Sequence, residues 1–121
     1  MNWDKYKKYF TKSEFACKCC GKEEMKEEFM DFLYACRSHS SVPFVITSGY
    51  RCAKHNKAVG GKPNSAHLTG YAADISCPND SVTMTVMKSL LPEFNRIGIK
   101  KGMIHVDMDP TKPKDVLFQY V

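Results

Sequence analysis

The residues of this chain best equipped for chemistry sit in two short stretches. Ser65-Ala-His67-Leu-Thr-Gly-Tyr-Ala-Ala-Asp74 carries a histidine and an aspartate, and Ile104-His105-Val106-Asp107-Met108 alternates apolar with polar. On a helix, His67 and Asp74 would share a face but lie about 10 Å apart along the axis, too far to grip one ion. Gly70 between them argues for a turn, so that a loop histidine meets a strand aspartate. In a strand over Tyr71–Ile75, Ala72 and Asp74 point one way and Tyr71, Ala73 and Ile75 the other. An aspartate in so apolar a strand is costly to bury unless it is paired or bound to a metal. In the second stretch Ile104, Val106 and Met108 face a core, while His105, Asp107 and Asp109 share the opposite side. A polar strand face usually meets solvent, but two such anomalies in one small chain point elsewhere. If the two strands are neighbours, Asp74 and His105 lie side by side and His67 reaches over from its loop. Two neutral imidazoles, one carboxylate and one open position make a catalytic zinc arrangement.

A second set of metal-type residues is the cysteines. There are six, Cys17, Cys19, Cys20, Cys36, Cys52 and Cys77, too few in 121 residues to mark a disulfide scaffold. Cys17 and Cys20 form C-x-x-C, and Cys36 and His39 form C-x-x-H further on, the number and type of ligands for a structural zinc. The alternative is a set of small core residues with a surface histidine, and the helical run between the two pairs favours it over a ribbon.

Several elements must position these groups. Glu23 to about His39 places Met25, Phe29, Phe32, Leu33 and Cys36 at three- and four-residue spacing, which predicts a helix. Phe44–Thr47 is short, apolar and β-branched, as expected of a buried strand. Arg51–Val59 is helix-compatible and stopped by Gly60-Gly61. Lys62–Gly70 is punctuated as a loop. Asp80–Leu91 predicts a helix capped by Asn79, Asp80 or Ser81, with Met84, Met87, Leu90, Leu91 and the following Phe94 in the core. Arg96–Ile99, Met103–Met108 and Val116–Tyr120 are strand candidates. Helices and strands mix without strict alternation, which points to an α+β fold with a mostly antiparallel sheet and helices packed on one side.

Taken together, Thr47-Ser-Gly-Tyr-Arg51-Cys52, His55-Asn56, Val59-Gly-Gly61, the Ser-x-His-x-x-Gly-x-Ala-x-Asp segment and His105-x-Asp107 resemble the LAS-type zinc D-Ala-D-Ala peptidases. These are murein carboxypeptidases and endopeptidases, including phage lysis enzymes and VanX, with the hedgehog amino-terminal domain as a relative. The resemblance runs from about Phe10 to the C-terminus. It implies zinc ligands at His67, Asp74 and His105. It also implies an arginine, Arg51, that holds the substrate and polarises its carbonyl, and a substrate-contacting Ser65. Tyr50 and Asn64 are close enough in sequence to line the same cleft. One departure stands out: many members carry a glutamate three residues before the last zinc histidine, and here that position is Gly102. Asp107, on the same strand face as His105, is then the expected general base. Its other possible role is to orient His105 by accepting its second ring N–H.

Length and charge complete the expectation. The chain has the size of one domain over residues 1–121. Its net charge of +5 suits an anionic partner such as the peptidoglycan stem peptide. No nucleic-acid motif accompanies the charge, and no apolar run is long enough for membrane insertion. The first ten residues lack the features of a secretory signal. The expectation is therefore a monomeric, zinc-dependent murein peptidase made in the cytoplasm. It would be carboxypeptidase-like or endolysin-like, reaching the cell wall by phage-type release or in a virion. The competing expectation is a non-catalytic zinc-binding interaction or virion structural module of the same fold.

Overall fold

The alternation read at Ala73/Ile75 and Ile104/Val106 builds the centre of the molecule, which the computed structural model describes over residues 1–119. All four side chains are fully buried. They belong to β2 (Ala72–Ser76) and β4 (Met103–Asp107). The other strands are β1 (Val45–Ser48), β3 (Arg96–Lys100) and β5 (Val116–Gln119), and the order across the sheet is β1-β2-β4-β3-β5. Three of the pairings are antiparallel, and β5 alone runs parallel to its neighbour, β3. The fold is α+β with a mostly antiparallel sheet, as the element pattern predicts. Tyr120, the expected last residue of β5, lies outside the described residues.

Four α-helices accompany the sheet: α1 (Lys12–Phe15), α2 (Glu27–Ser38), α3 (Ala53–Ala58) and α4 (Asp80–Leu90). Phe29, Met30, Leu33 and Cys36 form the buried stripe of α2. The N-terminal segment covers that helix with aromatic side chains, Tyr6, Tyr9 and Phe10 all lying against Tyr34. α2 starts four residues later than its apolar spacing predicts. Residues 23–26 are instead drawn along the His67–Gly70 loop, where the Lys26 N–H donates to the Gly70 carbonyl at 3.0 Å. Asn79 caps α4, its side chain accepting from the Val82 N–H at 2.9 Å. Val86 and Leu90 are buried on α4, but Met84 and Leu91 are each 58% exposed, contrary to the sequence expectation. At about 100° per residue, Met84 lies on the far side of the helix from Val82 and Val86.

The sheet face opposite the main core is not solvent-exposed either. Asp74, His105, Asp107 and Asp109 are all buried. Buried ionisable groups this dense require partners.

Candidate metal centre

Asp74 and His105 are direct cross-strand partners on β2 and β4. His67 arrives from a 3₁₀ turn, Ala66–Thr69, whose first N–H groups are capped by Ser65: its hydroxyl accepts from the His67 N–H at 3.2 Å. Gly70 ends the turn at φ +79°, the left-handed region that favours glycine. A side chain there would also collide with the backbone of Glu24. The chain reverses at Gly70, as the sequence predicts, and the loop histidine meets the strand aspartate.

Three ligand-type atoms converge. Asp74 Oδ1 lies 3.1 Å from His67 Nε2 and 2.9 Å from His105 Nδ1. The outer ring nitrogens are also engaged. His67 Nδ1 lies 2.7 Å from the Gly49 carbonyl, and His105 Nε2 lies 2.7 Å from Asp107 Oδ2. A carbonyl can only accept, so His67 carries its proton on Nδ1 and turns a lone pair toward Asp74. A neutral His105 that donates to Asp107 does the same from Nδ1. Two nitrogen lone pairs and a carboxylate oxygen then face one point, which demands a cation. The donor set of two imidazoles and a carboxylate fits zinc. Without metal the need is met by protons: burial disfavours a charged His105, but Asp107 and Asp74 outweigh it and raise its pKa. Burial likewise opposes an ionised Asp74, yet hydrogen bonds with His105 and His67 hold its carboxyl well below the usual range.

Arg51 reaches the same place from the residues before α3. Its Nη2 pairs with Asp74 Oδ2 at 3.2 Å, Nε donates to Ser48 Oγ at 3.0 Å, and Nη1 donates to Asn56 Oδ1 at 3.1 Å. Asn56 is fixed in turn by donating to the Lys62 carbonyl at 2.8 Å. Gly61 is required beside this group, since a side chain there would run into Asn56. Arg51, Ser65, Asn64, His67, Asp74 and His105 line one cleft of about 440 Å³. Its walls also carry Lys62, Arg96, Lys100 and Lys112, and Asp74 and Asp107 are the acidic side chains among its lining. A second hollow of about 490 Å³, between Tyr71, Phe94 and Met108, lacks any such ligand set.

The geometry bears on two further sequence expectations. Tyr50 does not line the cleft. It is 9% exposed, and its hydroxyl bonds with Glu24, which together with burial pushes its pKa up to about 12. For Asp107 the contacts favour the second of its two expected roles, orienting His105, over that of general base. It lies beyond the far edge of the His105 ring, 2% exposed, and accepts from the Arg96 guanidinium at 3.0 Å and from the Asp109 N–H at 3.1 Å. Burial would raise its carboxyl, but His105 keeps it below the ordinary carboxylate range. That is the geometry of a group that orients His105. Gly102 occupies the β3–β4 turn at φ +86° with open space around it.

The zinc grouping of Cys17 and Cys20 with Cys36 and His39, which the sequence disfavoured, is not formed. Cys36 is buried on α2 with its Sγ 3.9 Å from the Leu90 carbonyl, and His39 is exposed at the end of the helix. Sequence reasoning missed the Gly49 carbonyl, which carries no side-chain signal. It also missed Arg96, whose guanidinium stacks on Phe118 at 4.9 Å while holding Asp107.

A family model described as Peptidase M15 matches residues 8–107. No curated protein matches the chain.

Proposed function

Since the chain belongs to the peptidase M15 family, and is therefore a zinc-dependent metallopeptidase, we propose that it hydrolyses an amide bond in a murein stem peptide. It would act as a D-Ala-D-Ala carboxypeptidase or as an endolysin-type endopeptidase. The observation that carries this reading is the convergence of His67 Nε2, Asp74 Oδ1 and His105 Nδ1 in a cleft walled by five basic side chains. His67, Asp74 and His105 would hold the zinc, which would supply Lewis acidity for the hydrolysis. The protein's own groups do the rest. Three of the five guanidinium N–H groups of Arg51 are used by Ser48, Asn56 and Asp74, which leaves donors for a substrate carboxylate or carbonyl oxygen. Asp107 fixes the tautomer of His105, and against its burial His105, with Arg96 beside it, keeps Asp107 ionised. Ser65 lines the cleft with a hydroxyl that can donate to substrate while it accepts from His67. The basic walls suit a stem peptide rich in carboxylates. Action would be at the cell wall, reached by phage-type release or in a virion. Among the described residues no helix is long and apolar enough to cross a membrane.

One observation favours a second reading. Gly102 offers no proton acceptor, and both acidic side chains of the cleft lining are already paired, as suits a non-catalytic zinc-binding module. Incubating the zinc-loaded protein with defined muropeptides and weighing the products separates the two. Loss of a terminal D-Ala or scission of a cross-link is expected. Intact muropeptides after prolonged incubation would establish the binding module instead.

A further inference from the structure

A second cluster of ligand-type atoms lies away from this centre. The Sγ atoms of Cys17, Cys20 and Cys52 all fall within 4.8 Å of one another, although 35 positions separate Cys17 from Cys52. None of the six cysteines is in a disulfide. Sulfurs around a tetrahedral zinc at about 2.3 Å stand about 3.8 Å apart, so the cluster has the right size for a metal. The local backbone is shaped to hold the sulfurs. Cys17 N–H donates to the Lys22 carbonyl at 2.7 Å, and Gly21 N–H donates to the Cys17 carbonyl at 2.9 Å, with Gly21 at φ +76°. This tight turn aims main-chain N–H groups at sulfur. Cys17 Sγ accepts from Cys52 N–H at 3.4 Å and also from the N–H groups of Cys20 and Cys19. Cys20 Sγ accepts from Lys22 N–H, and Cys52 Sγ accepts from His55 N–H at 3.4 Å.

A neutral thiol is a weak acceptor and does not call for such a cradle, whereas a thiolate does. Cys19 is exposed, and its Sγ hydrogen-bonds with that of Cys52. Three sulfurs are therefore gathered by one turn and one helix start, with Cys19 beside Cys52 as a fourth.

We propose that Cys17, Cys20 and Cys52, with Cys19 in the fourth position, bind a structural zinc distinct from the one at His67, Asp74 and His105. On binding, the thiol protons of the ligands pass to solvent, and the metal ties the Cys17–Gly21 turn to the residues that open α3. Cys52 directly follows Arg51, so the same tie fixes the backbone from which Arg51 enters the cleft. Soft thiolate donors in a tetrahedral set select zinc over the hard cations.

The test is cobalt substitution of the full chain under reducing conditions, because only thiolate ligation gives an intense near-ultraviolet charge-transfer band. The unmutated protein should show that band and should hold about two metal ions per chain. The His67→Ala/His105→Ala variant should keep the band and lose one ion. Cys17→Ser/Cys20→Ser should lose the band. If that variant does not fold, the band in the unmutated chain still decides. A chain that holds cobalt without thiolate absorption, or one that contains iron in place of zinc as purified, would overturn the proposal.

Discussion

Arg51 is fixed before any substrate arrives. Its guanidinium spans Ser48, Asn56 and Asp74, an arrangement that needs a planar fork rather than a point charge. Arg51→Lys keeps the charge but cannot make three divergent contacts. Charge-assisted hydrogen bonds contribute about 1.5–3 kcal/mol each, so kcat/KM on a muropeptide should fall at least about tenfold while zinc content is retained. Unchanged kinetics would remove Arg51 from the reaction. Asp107 makes a sharper case. Asp107→Asn preserves shape but removes the charge behind His105 Nε2. For an orienting group, zinc affinity should drop by about 10–100-fold, with near-normal turnover once zinc is saturating. A loss of about 100-fold or more at saturating zinc would return Asp107 to the role of base.

At the scale of elements, the turns that flank the strands carry the precision. Gly70 and Gly102 both hold positive φ, but only Gly70 has backbone pressed against it. Gly70→Ala should therefore destabilise by more than the roughly 1–2 kcal/mol that the left-handed conformation itself costs a non-glycine residue. Gly102→Ala should cost about that amount alone. Denaturant midpoints of the two variants, compared at equal slope, check the difference. This contrast also marks what could be read from the sequence. The strand alternation at residues 72–75 and 103–107 was legible because period-two patterning is local, and it placed Asp74 opposite His105. The turn read at Gly70 brought His67 to the same point. What was not legible depends on neighbours distant in sequence. Residues 23–26 have helical spacing but are captured by the Gly70 loop. Tyr50 sits beside Arg51 in sequence yet turns to Glu24. Cys17 and Cys20 take Cys52, not Cys36, because α2 directs Cys36 into the core. The position of Asp107 behind the His105 ring, which bears on its base or orienting role, is a detail that spacing does not encode.

Across the whole molecule, charge is concentrated where the chemistry is. Arg51, Lys62, Arg96, Lys100 and Lys112 surround one cleft, against Asp74 and Asp107 that are already paired. Such a field draws anionic ligands in and is screened within about 8 Å at physiological ionic strength. On an anionic stem peptide, kcat/KM should fall as salt rises, chiefly through KM, whereas a neutral amidated analogue should respond little. Equal salt dependence for both peptides would show that the basic walls do not steer the substrate. The convergence of His67, Asp74 and His105 has a further consequence, for lifetime rather than for reaction. A metal held there would staple the Ala66–Thr69 turn to β4 across about 40 residues, and a cross-link of that span restricts the unfolded chain by about 4 kcal/mol. The ion that serves the chemistry also guards the chain against proteases, and a chelated sample should be digested far sooner than a zinc-loaded one.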